Sequence, residues 1–156
     1  MLADDGMFDA ISSDHGGPFP GVYQLHALDE HRDFLRLSRL LSEDPLGVLY
    51  IGAAANILYR VSQLKKSVSA AYRTVDPKTY AHLEYSDVRA HQTGKKIVNI
   101  PRLAERFPFE RLCVTVKRNE GAKEEEVVVD ASHFKLEDQL LQTYAAEYGE
   151  RPPLND

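Results

Sequence analysis

The stretch Val48-Leu49-Tyr50-Ile51-Gly52-Ala53-Ala54-Ala55-Asn56-Ile57-Leu58-Tyr59-Arg60 decides the fold. It opens as a short apolar strand, turns through Gly52 and the alanines, and enters a helix at Asn56. Asparagine suits that boundary because its side-chain oxygen satisfies an orphan backbone N–H of the first turn. Arg60 then lies about one turn into the helix, so a strand tyrosine and a helix arginine can face one pocket.

Upstream, Val22 to Leu28 alternates as a strand, with Tyr23, Leu25 and Ala27 on one face. From Glu30 to Ser42 the period becomes helical. Phe34, Leu37, Leu40 and Leu41 share one side, and Arg32, Arg36 and Arg39 line up opposite, so a helix inserted over 30–42 is expected. Residues 1–20 carry acids, serines, glycines and prolines with little periodicity and read as a mobile arm ahead of one domain over 21–156.

Downstream, Ile57, Val61, Leu64, Val68 and Ala71 form the apolar stripe of a helix over about 55–72, with Arg60 at its edge and Lys65 and Lys66 outward. Thr74 to Lys96 is polar and reads as loop, with a short helix around Glu84 to His91. Another short helix follows Pro101. Glu110 to Val116 is a third strand, Asn119 to Gly121 a turn, and the valines of 124–129 an extended edge segment. The last helix spans about 131–148 and stops at Gly149, a usual residue just past a helix C-terminus.

At 156 residues the chain can bury a core of its own. Its single cysteine, Cys113, excludes an internal disulfide and points to a reducing, cytoplasmic setting. The opening Met1-Leu2-Ala3-Asp4-Asp5-Gly6 lacks the basic and apolar regions of a signal peptide. The apolar run near Val48 to Tyr59 falls short of the ~20 residues a membrane helix needs. A net charge of −5 argues against broad nucleic-acid binding but leaves room for a local basic face.

One residue breaks the pattern. Leu136, Leu140, Leu141, Tyr144 and Tyr148 form the apolar arc of the last helix, and Glu137 falls inside it. A carboxylate there needs a partner or a cation. Arg60 or a tyrosine hydroxyl would serve as the first, a metal ion as the second.

Gly21-Val22-Tyr23 opens the first strand and Tyr50-Ile51-Gly52 ends the second. Arg60 follows that glycine by eight residues, Glu137 stands on a late helix, and Pro152-Pro153-Leu154-Asn155 closes the chain. In this order the set resembles the GIY-YIG endonuclease superfamily over residues 21–156. The resemblance implies an α+β fold, a small antiparallel three-stranded sheet flanked by helices, in agreement with the element order read above. Departures are Val22 for isoleucine, Ala53 where a polar or basic residue is commoner, the helix at 30–42, a longer spacing from Glu137 to Asn155, and Leu64 where some members carry histidine.

The resemblance further implies metal-dependent hydrolysis of DNA phosphodiesters. Glu137 would hold Mg²⁺, or Mn²⁺, and Arg60 would contact the phosphate. Tyr23 would accept a proton from water beside Tyr50, and Asn155 would orient a member of the site. DNA would be gripped through Arg32, Arg36, Arg39, Lys65 and Lys66, faces that could equally be solvated helix sides. The alternative is a catalytically inactive module of the same family that binds DNA or a protein. No membrane partner is expected.

Overall fold

A computed structural model describes residues 1–15, 18–74, 76–83, 90–119 and 132–155. Its centre is a three-stranded antiparallel sheet in the order β4-β1-β5, formed by β1 (Gly21–Ala27), β4 (Val48–Ala54) and β5 (Leu112–Arg118). A two-stranded ribbon, β2 (Leu37–Ser38) and β3 (Glu43–Asp44), lies between β1 and β4 in sequence. The helices are α1 (Met7–His15), α2 (Ile57–Thr74), α3 (Pro77–Ala81), α4 (Gln92–Asn99), α5 (Leu103–Arg106) and α6 (Ser132–Tyr148). The fold is α+β, as expected. Among the described residues no helix is long and apolar enough to cross a membrane.

β1 is the middle strand, so both its neighbours saturate its backbone and nearly all its side chains are buried. Tyr23, Leu25 and Ala27 pack with Ile57, Val61, Leu64 and Val68 of α2, the stripe read from sequence. A second, smaller cluster joins Val48 and Ile51 of β4 to Leu141, Tyr144 and Tyr148 of α6. Asn56 caps α2 through its side-chain oxygen, 3.0 Å from the Tyr59 amide.

Two expectations are overturned. The described part of the first twenty residues, 1–15 and 18–20, is no loose arm: Leu2, Met7, Ile11 and Phe19 are buried, and α1 packs on α2. The Leu2 amide donates to the Leu112 carbonyl, and the Ile57 amide donates to that of Phe19. The apolar spacing of Met7 and Ile11 sufficed for a helix, and the glycines and prolines after it obscured that signal.

The helix over 30–42 is also absent. Asp29 accepts the amides of His31 and Asp33, and Arg32 sits at φ 69°, a turn geometry that starts no helix. The following backbone bonds to strands instead of to itself: Leu35 N–H donates to the Ala27 carbonyl, and Leu28 bridges Phe34. Leu40 and Leu41, expected in the core, are 74% and 69% exposed at the tip of the ribbon.

Smaller differences concern boundaries. The third strand begins at Leu112 after a single tight turn at Phe109–Arg111, and α4 occupies part of the expected loop. The expected helix near Glu84, most of the turn at Gly121 and the extended segment at 124–129 lie outside the described residues.

Candidate functional site

The β1–β4 register sets Tyr23 opposite Gly52 and Tyr50 opposite Leu25, which brings the two phenol rings to 5.9 Å between centroids. Gly52 makes this possible. A Cβ there would fall 2.6 Å from Cζ and Oη of Tyr23 and 2.7 Å from Cε1 of Tyr50, so the rings lie across a bare Cα. Tyr23 is 1% exposed, whereas Tyr50 is half-buried.

A third ring completes the cluster. His91, immediately before α4, stands edge-on to Tyr23 and Tyr50 at 6.1 and 5.2 Å, with Nε2 2.7 Å from the Tyr23 hydroxyl. It stands 68 residues from Tyr23 in sequence, and a lone histidine ahead of a short helix gives no local signal of such a contact. Its position is set by α4, which packs closely on α2 because Gly94 leaves room: a Cβ there would meet Ser67 and Tyr80 at 2.3–2.4 Å.

Arg60 and Glu137 border the same cluster. Arg60 Nη1 donates to Gln63 Oε1 at 2.9 Å and to the Ala90 carbonyl at 3.4 Å, and its charge acts on Tyr23, Tyr50, His91 and Glu137. Burial pushes the Tyr23 phenol far up, and nearby Tyr50 adds to this, against the opposing pull of Arg60. Tyr50 is raised by burial and then by the Glu137 carboxylate, with Tyr23 and Arg60 opposing. Burial raises the Glu137 carboxyl too, offset first by the Ala53 backbone N–H.

Glu137 and Arg60 do not form an ion pair among the described residues. Among the described residues the anomalous carboxylate therefore sits half-buried near the Ala53 amide of β4 with no cation within ion-pair distance. Among the described residues no group of three or more histidine, cysteine or acidic side chains could hold a metal.

Asn155 grips the outer edge of β4 like an added strand residue. Its Oδ1 accepts from Ile51 N at 2.8 Å and its Nδ2 donates to Ile51 O at 2.7 Å, while Leu154 N donates to Leu49 O. This covers an edge that would otherwise be unpaired, and it fixes the backbone between Tyr50 and Gly52.

The five basic residues expected to grip DNA are not one surface. Arg36 pairs with Glu43 at 2.9 Å, Arg32 is exposed in a turn, and Arg39 is a buried structural group bound to Val48 O and Asp44. With no helix over 30–42, the stripe does not form. Lys65 binds Asp5 and the Asp4 carbonyl, and with Lys66 and Arg73 it lines a cavity of about 320 Å³ beside Phe8. Both lysines stand roughly 120–140° around α2 from Arg60, so they face away from the tyrosines.

Two buried histidines make stability depend on pH. His26 holds the Leu46 carbonyl through Nδ1 and Thr115 Oγ1 through Nε2. Burial lowers it, with the Leu46 carbonyl and Asp44 opposing. Burial, Arg60 and Lys96 together carry His91 from 6.5 down to about 3. The unfolded chain therefore binds more protons in acid, and the stability present above about 6.5 is lost as pH falls toward the folded values. Unfolding free energy is expected to drop between about pH 6.5 and pH 4, with a slope approaching ~1.4 kcal/mol per pH unit from His91 and a further contribution of the same sign from His26. Urea unfolding across this range checks it; a flat profile would mean the imidazoles are solvated.

No protein-family model, curated protein or solved structure matches this chain.

Proposed function

We propose that this chain is a divalent-metal-dependent DNA endonuclease of the GIY-YIG type. The observation that carries the reading is convergence: Tyr23, Tyr50, Arg60 and Glu137, distant in sequence, border one cluster over Gly52. A chain that needed only a core would fill this place with apolar groups rather than two phenols, a guanidinium and a half-buried carboxylate.

In this reading Arg60 donates to the non-bridging oxygens of the scissile phosphate, where charge accumulates as water attacks phosphorus. Glu137 would hold Mg²⁺ or Mn²⁺, which would polarise the phosphate and stabilise negative charge. The proton acceptor is Tyr50 as its phenolate, its own proton having first passed to solvent, rather than Tyr23, because Tyr23 is enclosed and Tyr50 is the partly accessible ring. Asn155 keeps the Tyr50-Ile51-Gly52 backbone in place. DNA contact falls to Arg60 and its surroundings, not to the buried Arg39.

One observation favours a second reading, an inactive module that binds DNA or a protein through the same cleft: both phenols are shifted away from neutrality, the wrong direction for a base. Nicking of supercoiled plasmid and of branched DNA with Mg²⁺ or Mn²⁺ separates the two. Nicking is expected in the wild type, with losses of about 10²-fold or more in Glu137→Gln and Tyr50→Phe. A silent wild type that also fails to bind Mg²⁺ would leave the inactive module standing.

A further inference from the structure

A histidine touching a buried tyrosine invites the idea that the imidazole withdraws the phenolic proton. The backbone around His91 forbids that direction. His91 is the N-cap of α4, and its Nδ1 accepts the Thr93 amide at 3.2 Å. A backbone N–H can only donate, so Nδ1 carries no hydrogen. A neutral imidazole has one N–H, which must therefore be on Nε2, and Nε2 is the atom 2.7 Å from the Tyr23 hydroxyl.

We infer that His91 is a positioning residue, a fixed hydrogen-bond donor that holds the Tyr23 hydroxyl in place. The Tyr23 oxygen accepts Nε2–H, so the polarity runs from His91 to Tyr23. The imidazole does not accept a proton along this line, and it is held well below the range in which it would charge.

The ring cannot easily reverse its role. The His91 carbonyl accepts from the Ser67 hydroxyl, and the carbonyl before it, that of Ala90, accepts from Arg60. Turning the ring would unmake both the cap and the Tyr23 contact in a buried site. The kinetic consequence rests on the nuclease reading; the polarity itself does not.

The two nitrogens can be separated by substitution. In His91→Asn the amide group reaches only as far as Nδ1, so the cap is kept and the donor to Tyr23 is lost. In His91→Gln the amide nitrogen reaches the Nε2 position. The test is ¹⁵N NMR of the metal-free full chain, together with plasmid nicking by both variants at a temperature where both are folded. The expected results are the Nε2–H tautomer in the wild type, about tenfold slower nicking in His91→Asn, and recovery of most of that loss in His91→Gln. An Nδ1–H tautomer would overturn the polarity whatever the activity. Equal losses in Asn and Gln, or none in Asn, would overturn the positioning role. An Nε2–H tautomer in a protein that never nicks would support the polarity and reject the nuclease reading alone.

Discussion

Asp44→Ala is expected to lower the free energy of unfolding by about 3–5 kcal/mol, because it breaks a buried charge pair from one side. Asp44 is 1% exposed and accepts four donors: the amides of Leu46 and Val48 at 2.9 and 2.8 Å, the Tyr144 hydroxyl at 2.7 Å, and Arg39 Nη2 at 3.5 Å. Arg39 is 8% exposed at its side chain, and its Nε has no partner among the described residues. Without Asp44 the guanidinium keeps the Val48 carbonyl at 2.7 Å, the Tyr144 ring at 5.8 Å and the more distant Glu150. Two peptide N–H groups and a phenol are also left unmet, each costing about 1–3 kcal/mol if water does not reach it.

The same carboxylate ties the ribbon to β4 and α6, so its loss should loosen the Leu41–Tyr148 and Ser42–Glu147 contacts as well. Urea unfolding of the variant measures the cost. Arg39→Met in the Asp44→Ala background should recover part of it by removing the orphaned charge. A loss below ~1 kcal/mol, with no recovery in the double variant, would show that water already reaches the pair.

Gly52→Ala is expected to cost about 2–4 kcal/mol and to abolish the site together with the stability. The new methyl would stand 2.6 Å from the Tyr23 hydroxyl, a distance that no real Cβ contact tolerates. Tyr23 cannot yield cheaply, since its ring is enclosed and its oxygen is bound to His91. Either the strand shifts, which disturbs the Asn155 clamp on Ile51, or the ring leaves and an imidazole loses its acceptor. Thermal unfolding reads the first cost, and the His91 Nε2 chemical shift reads the second. Tyr23→Val combined with Gly52→Ala should restore part of the stability by clearing the space. Full stability in Gly52→Ala alone would mean that the two rings are not packed across this Cα.

Where local spacing carried the information, it was readable in the chain. The Val22–Leu28 alternation, the apolar run at Val48, the α2 stripe with its Asn56 cap, and the α6 arc ending at Gly149 with φ 78° all produced the elements they specify. Each depends on neighbours within one or two turns or on strand alternation, which the backbone imposes by itself. The misplaced Glu137 was equally visible, because a carboxylate inside an apolar arc conflicts with its own helix.

What the sequence by itself determined was therefore the set of local elements and the identity of the residues too polar for a core. Tertiary structure alone decided which of them meet. Arg32, Arg36 and Arg39 carry a sound helical period, yet the segment's amides bond to Asp29, Ala27 and the ribbon, and Asp44 draws Arg39 inward. His91 reaches Tyr23 only because Gly94 lets α4 approach α2. Asn155 reaches Ile51 only because β4 ends the sheet and leaves an open edge. A period along the chain reports which face of a segment is apolar; a contact between distant residues depends on the loops that close between them and on the partners competing for the same buried groups.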